Sequence, residues 1–162
     1  MGSGRQTSLV GRFRRFLHRL FHGSRHRRSR IRSRVARYNL EVLNRERRKH
    51  GLGELRFHSG YADLCRGHSR SMARAGRIFH GDNPRNIRCS CAGENVGVMP
   101  TGRVRGFRHR ISSERDVALP LHRMWITSPG HRANMLDPRF RQVGIGVHRR
   151  GNRYYATQLF SS

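Results

Sequence analysis

Val143-Gly144-Ile145-Gly146-Val147 constrains this chain more than any other stretch. Side chains along a strand alternate between its two faces, so Val143, Ile145 and Val147 share one apolar face while Gly144 and Gly146 leave the other bare. A bare strand face is useful where another backbone comes close, so the glycines predict a helix laid directly on it. The turn His148-Arg149-Arg150-Gly151-Asn152 then feeds a returning strand over 153–160, which makes an antiparallel hairpin.

Upstream the pattern is helical. Val35, Tyr38, Val42 and Leu43 recur on one face of a helix running from Ile31 or Val35 to about Arg48, stopped by Gly51 and Gly53. A second helix is expected from about Tyr61 to Ala75, with Ala62, Cys65, Ser69 and Met72 inward and Gly76 as its end. His80 follows in a loop that begins Ile78-Phe79, and His68 falls on the helix surface. Residues 86–99 are strand-like, and Pro100 and Gly102 open an arginine-rich excursion to about Asp116. A short helix then spans Val117 to Trp125.

Ser128-Pro129-Gly130-His131 is a helix-start signal. Ser128 fits the N-cap, its hydroxyl accepting from the third backbone N–H, and Pro129 fits the first helical position. His131 then lies in the first turn, beside unpaired N–H groups. The positive end of the helix dipole there favours a neutral imidazole, the form that binds a metal or takes a proton. The same spacing would suit a nucleophile–base pair of Ser128 and His131, but capping accounts for the serine more simply.

Five stretches recur in a set order: L-N-R-E-R-R-K-H-G-L-G-E-L at 43–55, H-S-R-S-M-A-R-A-G-R-I-F-H at 68–80, G-E-N-V at 93–96, the segment Trp125 to Leu136, and V-G-I-G-V at 143–147 followed by Y-Y-A-T-Q-L-F at 154–160. In this order and at these separations they resemble the CAP superfamily, the SCP-like domain of cysteine-rich secretory and pathogenesis-related proteins, in its prokaryotic branch. The resemblance covers roughly residues 33–161 and implies an α+β fold. That fold is a three-layer α-β-α sandwich around a small central antiparallel sheet, here with an N-terminal basic helical arm. It implies a cleft lined by His80, Glu94, Ser128, His131 and Asn134, with His80, Glu94 and His131 as ligands for zinc or another divalent cation. The family's second acid should stand where this chain has Ser128, so the set is incomplete.

The chain carries 35 basic and 9 acidic residues, a formal net charge of +26, and Lys49 is its single lysine. Such a charge resists compaction and draws in polyanions of every kind. Arginine in place of lysine favours bidentate phosphate or carboxylate contacts. Residues 1–34 contain no acid. There Leu9, Phe13, Phe16, Leu17 and Leu20 recur at helical steps opposite Arg12, Arg15, His18 and Arg19. Residues 1–32 are therefore expected to form a basic amphipathic arm and linker ahead of a domain over 33–162. An anionic membrane surface or other polyanion is the expected partner of residues 1–34. A disordered arm, or a helix packed on the domain, is the alternative. No uncharged run is long enough to span a bilayer, and the apolar stretch and cleavage site of a secretory signal are missing.

Three cysteines, Cys65, Cys89 and Cys91, do not make a disulfide framework. Cys65 reads as a small core residue. A bridge from it to Cys89 or Cys91 is the alternative in an exported protein.

By resemblance the location is extracellular or at the cell envelope, with a cytoplasmic or membrane-peripheral one as the alternative. The expected function is a binding module for a lipid, glycan or other ligand. Two imidazoles and a carboxylate leave a zinc position open for water or substrate, so a metal-dependent hydrolase or peptidase-like enzyme is the alternative. Non-specific nucleic-acid binding through the arm is a second alternative. No zinc-finger or RNA-recognition signature points to sequence-specific contact.

Overall fold

The computed structural model describes residues 33–162 except 83, 85, 86, 88, 90, 91 and 109. The basic arm and Cys91 lie outside the described residues. The described elements are, in chain order, α1 (Arg34–Lys49), β1 (Arg56–Phe57), α2 (Ser59–Ala75), β2 (Ala92–Pro100), α3 (Glu114–Ile126), α4 (Pro129–Leu136), β3 (Gln142–Arg150) and β4 (Arg153–Ser161). The strands lie in the order β1-β3-β4-β2, with β2 and β3 both antiparallel to β4. The expected strand over 86–99 is observed as Ala92–Pro100. The sheet is mixed rather than wholly antiparallel, because β1 pairs parallel with β3. A two-residue strand has no alternation to read, so Arg56-Phe57 left no pattern in the sequence.

Helix α2 occupies the face that the glycines leave open. A Cβ on Gly144 would sit 2.4 Å from the backbone carbonyl carbon of Tyr61, and one on Gly146 would sit 2.2 Å from the amide nitrogen of Arg66. Both distances are inside van der Waals contact, so helix and strand backbones touch. The contact is also polar. Ser69 Oγ donates to the Gly146 carbonyl at 3.1 Å and pairs with Thr157 Oγ1 at 2.9 Å. The Cys65 thiol donates to the Gly144 carbonyl at 3.4 Å. Cys65 is fully buried and is a free thiol, so it is the core residue of the first reading.

The opposite face carries the main core. Val143, Ile145, Ala156 and Phe160 of the sheet meet Val35 and Leu43 of α1, Leu121 and Trp125 of α3, and Met135 of α4. The Trp125 indole N–H donates to the Val96 carbonyl at 2.9 Å, which anchors α3 to β2. α3 begins in a capping box of Ser113 and Asp116. Hydrogen bonds from Ser112, backbone and side chain, and from Ser113 hold the Asp116 carboxyl down to about 2.

Two buried polar residues stand out. Arg47, fully buried, donates through Nε to the Gly53 carbonyl (2.8 Å) and through Nη1 to the carbonyls of Met135 (2.9 Å) and Asp137 (3.1 Å). One guanidinium thus ties the turn after α1 to the end of α4. His122 on α3 is buried, and its Nδ1 has no partner among the described residues.

Gly144→Ala should cost about 1–3 kcal/mol, since neither backbone can yield without disturbing the sheet. Gly53→Ala, with nothing within 4 Å of the new methyl, should change stability by less than about 1 kcal/mol. Urea unfolding of both variants measures this; equal stabilities would show that α2 does not rest on β3.

Candidate functional site

β2 is the edge strand on one side of the sheet, and the motif Gly93-Glu94-Asn95 runs along it. Alternation sends Glu94 to the α2 side, opposite Leu159 on β4, and Asn95 to the other side, opposite Gln158. Each residue of the motif has a separate role. Gly93 admits α4: a Cβ there would be 2.6 Å from Asn134 Oδ1. Asn95 and Glu94 bind the two halves of the site.

On the α2 side, Glu94 is buried and its Oε1 accepts from the Gly81 backbone N–H at 2.9 Å and from His80 Nδ1 at 3.1 Å. The carboxylate side chain is 2 % exposed while the imidazole is 63 % exposed, so the pair reaches from the interior to the surface. The loop bearing His80 is held by a residue that the sequence reading left on the helix surface. His68 Nε2 donates to the Phe79 carbonyl at 2.8 Å, and its ring stands edge-on to Phe79 with centroids 5.1 Å apart. It also backs onto Gly81, where a Cβ would meet it at 2.9 Å. The signal for His68 was its place in H-S-R-S-M-A-R-A-G-R-I-F-H, one helix length before the loop.

On the other side, α4 is fastened by amides. Asn134 Nδ2 donates to the Glu94 carbonyl (3.2 Å) and to Asn95 Oδ1 (3.0 Å). Asn95 Nδ2 donates to the His131 carbonyl (3.2 Å) and to Gln158 Oε1 (3.1 Å). Gln158 Nε2 continues to Asn39 Oδ1 at 2.6 Å, and Asn39 Nδ2 to the Ala118 carbonyl at 3.4 Å. The chain of amides runs head to tail from α4 through β2 and β4 to α1 and α3.

Ser128 is the N-cap of α4 and Pro129 its first residue, as the sequence predicts, but the serine makes no side-chain cap bond. Its Oγ lies instead 2.9 Å from His131 Nδ1. The imidazole three residues on takes the place that a backbone N–H was expected to fill, and the capping reading is corrected accordingly. Burial, and then the nearby charge of His80, hold His131 below the ordinary histidine value, so the neutral form is favoured.

His80 and Glu94 are therefore joined directly, and His131 comes within electrostatic reach of His80 from the opposite layer. Ser128 and Asn134 are both at the site, one against His131 and one against β2. As a metal centre the set is only partly suited. Among the described residues no group of three or more His, Cys, Asp or Glu side chains is arranged to hold an ion. Glu94 uses Oε1 on His80 and Gly81, which supports the imidazole from behind. What remains is one ring nitrogen, Nε2, on each histidine, a donor type suited to zinc.

The chain matches the cysteine-rich secretory protein family over residues 40–160. Its fold is shared by an extracellular SCP-domain protein of Bacillus anthracis at 23 % identity and TM-score 0.59, covering 78 % of this chain and 40 % of that one. It is shared by an outer surface protein of Borrelia burgdorferi at 12 % identity and TM-score 0.63, covering 81 % and 94 %. It is also shared by NaASP2, whose structure was determined with Zn2+, at 12 % identity and TM-score 0.61, covering 85 % and 83 %. The chain spans only 40 % of the length of the Bacillus anthracis protein. No curated protein matches it. Among the described residues no helix is long and apolar enough to cross a membrane.

The two causes acting on His131 can be separated by NMR titration. Its midpoint should lie below the free-histidine value of about 6.5. His80→Ala should raise it only part of the way, because burial persists. A wild-type midpoint at or above that value would contradict the arrangement.

Proposed function

The chain belongs to the cysteine-rich secretory protein family, and on that footing we propose that it is a binding module of the cell exterior or envelope whose ligand site is the edge of β2. The observation that carries this reading is the pairing of His80 with Glu94 beside a neutral-leaning His131. Two polar layers meet there, with one nitrogen of each imidazole uncommitted among the described residues. The outer-surface and extracellular relatives support the location, and NaASP2 with Zn2+ supports a divalent cation as part of the ligand.

In this proposal His80 and His131 hold the cation, which supplies a positive, Lewis-acidic centre for an anionic or carbonyl-bearing ligand. Glu94 fixes the His80 ring from behind, as carboxylates behind metal-binding histidines commonly do. Ser128 does the same for His131 with a weaker, uncharged group. Binding is favoured over hydrolysis because the place of the second acid is filled by that serine, which cannot supply a carboxylate. Residues 1–34 add contact with an anionic surface.

Calorimetric zinc titration of the full chain, with a thermal melt for each variant, tests the proposal. Wild type should bind zinc. His80→Ala and His131→Ala should lose it while keeping their fold, and Glu94→Gln should bind about 10–100-fold more weakly. Zinc-dependent turnover of an activated ester or a peptide, abolished by His131→Ala in a folded protein, would replace the binding module with a hydrolase.

A further inference from the structure

Residues 64–81 and 138–162 contain no acidic residue, and the fold brings these two stretches together at the C-terminal end of α2. Arg150 Nη1 donates to the carbonyls of Ala73 (2.6 Å) and Arg74 (2.8 Å), at the C-terminal end of α2. Arg150 also stands directly opposite Arg153 across the β3–β4 pair. Like charges facing each other on neighbouring strands are destabilising, and the carbonyl ends of α2 offset only one of them. Arg70 and Arg74, both exposed, lie one turn apart on α2. His148, two residues before Arg150 on the same face of β3, is held below its ordinary value by partial burial and then by the charges of Arg70 and Arg74. None of the ion pairs among the described residues includes Arg70, Arg74, Arg150 or Arg153.

The chain leaves this cluster through an apolar side chain. α2 stops at Gly76, in the left-handed conformation at φ 71°, and Ile78 follows. At 45 % exposed it is one of two large hydrophobic side chains left open among the described residues, the other being Leu119 on α3. Arg77 beside it lies over the Phe79 ring at 5.1 Å.

We propose that Arg70, Arg74, Arg150 and Arg153, together with Ile78 at the end of α2, form a second binding site by which the folded domain docks on an anionic lipid bilayer. The arginines meet headgroup phosphates, for which their planar forks are suited. Ile78 enters the interface between headgroups and acyl chains. A soluble polyanion would use the charge but would have no place for an exposed isoleucine, which is why the bilayer is favoured. The loop that carries Ile78 also carries His80, so docking sets the β2-edge site close to the membrane surface.

The test compares two full-length variants in vesicle co-sedimentation. Arg74→Glu/Arg153→Glu/Ile78→Asp alters the proposed surface. Arg34→Glu/Arg45→Glu/Leu119→Asp makes the same chemical changes on the opposite layer. With phosphatidylglycerol-containing vesicles the first should need about tenfold more lipid for half-binding, the second far less of an increase, and neutral phosphatidylcholine vesicles should bind neither. Arg70→Gln/Arg74→Gln, which changes only exposed side chains, should give a smaller shift in the same direction and covers the case in which the triple variant does not fold. If the two triple variants bind alike, the arm or bulk charge holds the chain and the proposal is overturned. It is equally overturned if the first variant keeps its vesicle affinity and loses affinity for a duplex oligonucleotide.

Discussion

Gln158 and Asn95 stand opposite one another on β4 and β2, on a face otherwise given to Val143, Ile145, Trp125 and Phe160. An amide left unsatisfied in such a place costs about 1–3 kcal/mol. The structure avoids that cost by linking each amide to the next, from Asn134 through Asn95 and Gln158 to Asn39. The consequence is a specification of register as well as a set of bonds. Sliding β2 by one residue against β4 would turn Asn95 toward Met72 and Tyr155 and put Glu94 into the main core, so only one pairing serves the polar groups. Because the line of amides ends on α4, it also sets where His131 stands.

That line explains how a site is built from two layers that never touch through the sheet. β2 is an edge, so α4 on one face and the loop after α2 on the other can both reach around it. Glu94 and Asn95, adjacent in sequence, serve opposite sides only because strand geometry alternates them. The two histidines are supported unequally. His80 has a buried carboxylate behind it, and His131 has the hydroxyl of Ser128. Burial also holds His131 below the ordinary histidine value, which leaves its imidazole leaning to the neutral form.

What could be seen in the chain beforehand was what repeats locally. The glycines at 144 and 146 announced the approach of α2, Gly76 its end, and Ser128-Pro129 the start of α4, all within a residue or two. The family motifs placed His80, Glu94, His131 and Asn134 in one region. What could not be seen depends on partners remote in sequence. Gln158 meets Asn39 across 119 positions and Arg47 meets Met135 across 88, with no local periodicity to betray either. Ser128 was misread for a different reason. A hydroxyl at an N-cap can satisfy a backbone N–H or a side chain, and spacing does not say which is nearer. His68 looked like a surface residue because helical phase gives burial but not the loop folded back over it.

His122 carries a consequence for the conditions the fold can tolerate. Its ring is enclosed between α3 and α1, and burial holds its pKa down against the pull of Glu46; His58 is lowered by burial as well. Unfolded, each would accept a proton near pH 6.5, roughly the value for a free histidine. The unfolded chain therefore takes up protons first as acidity rises. Stability is complete above that point and is given up as pH falls toward the lower folded values. A chain already at +26 adds further self-repulsion with every proton gained. Acidity therefore works against this fold twice, through the buried imidazoles and through the charge they add.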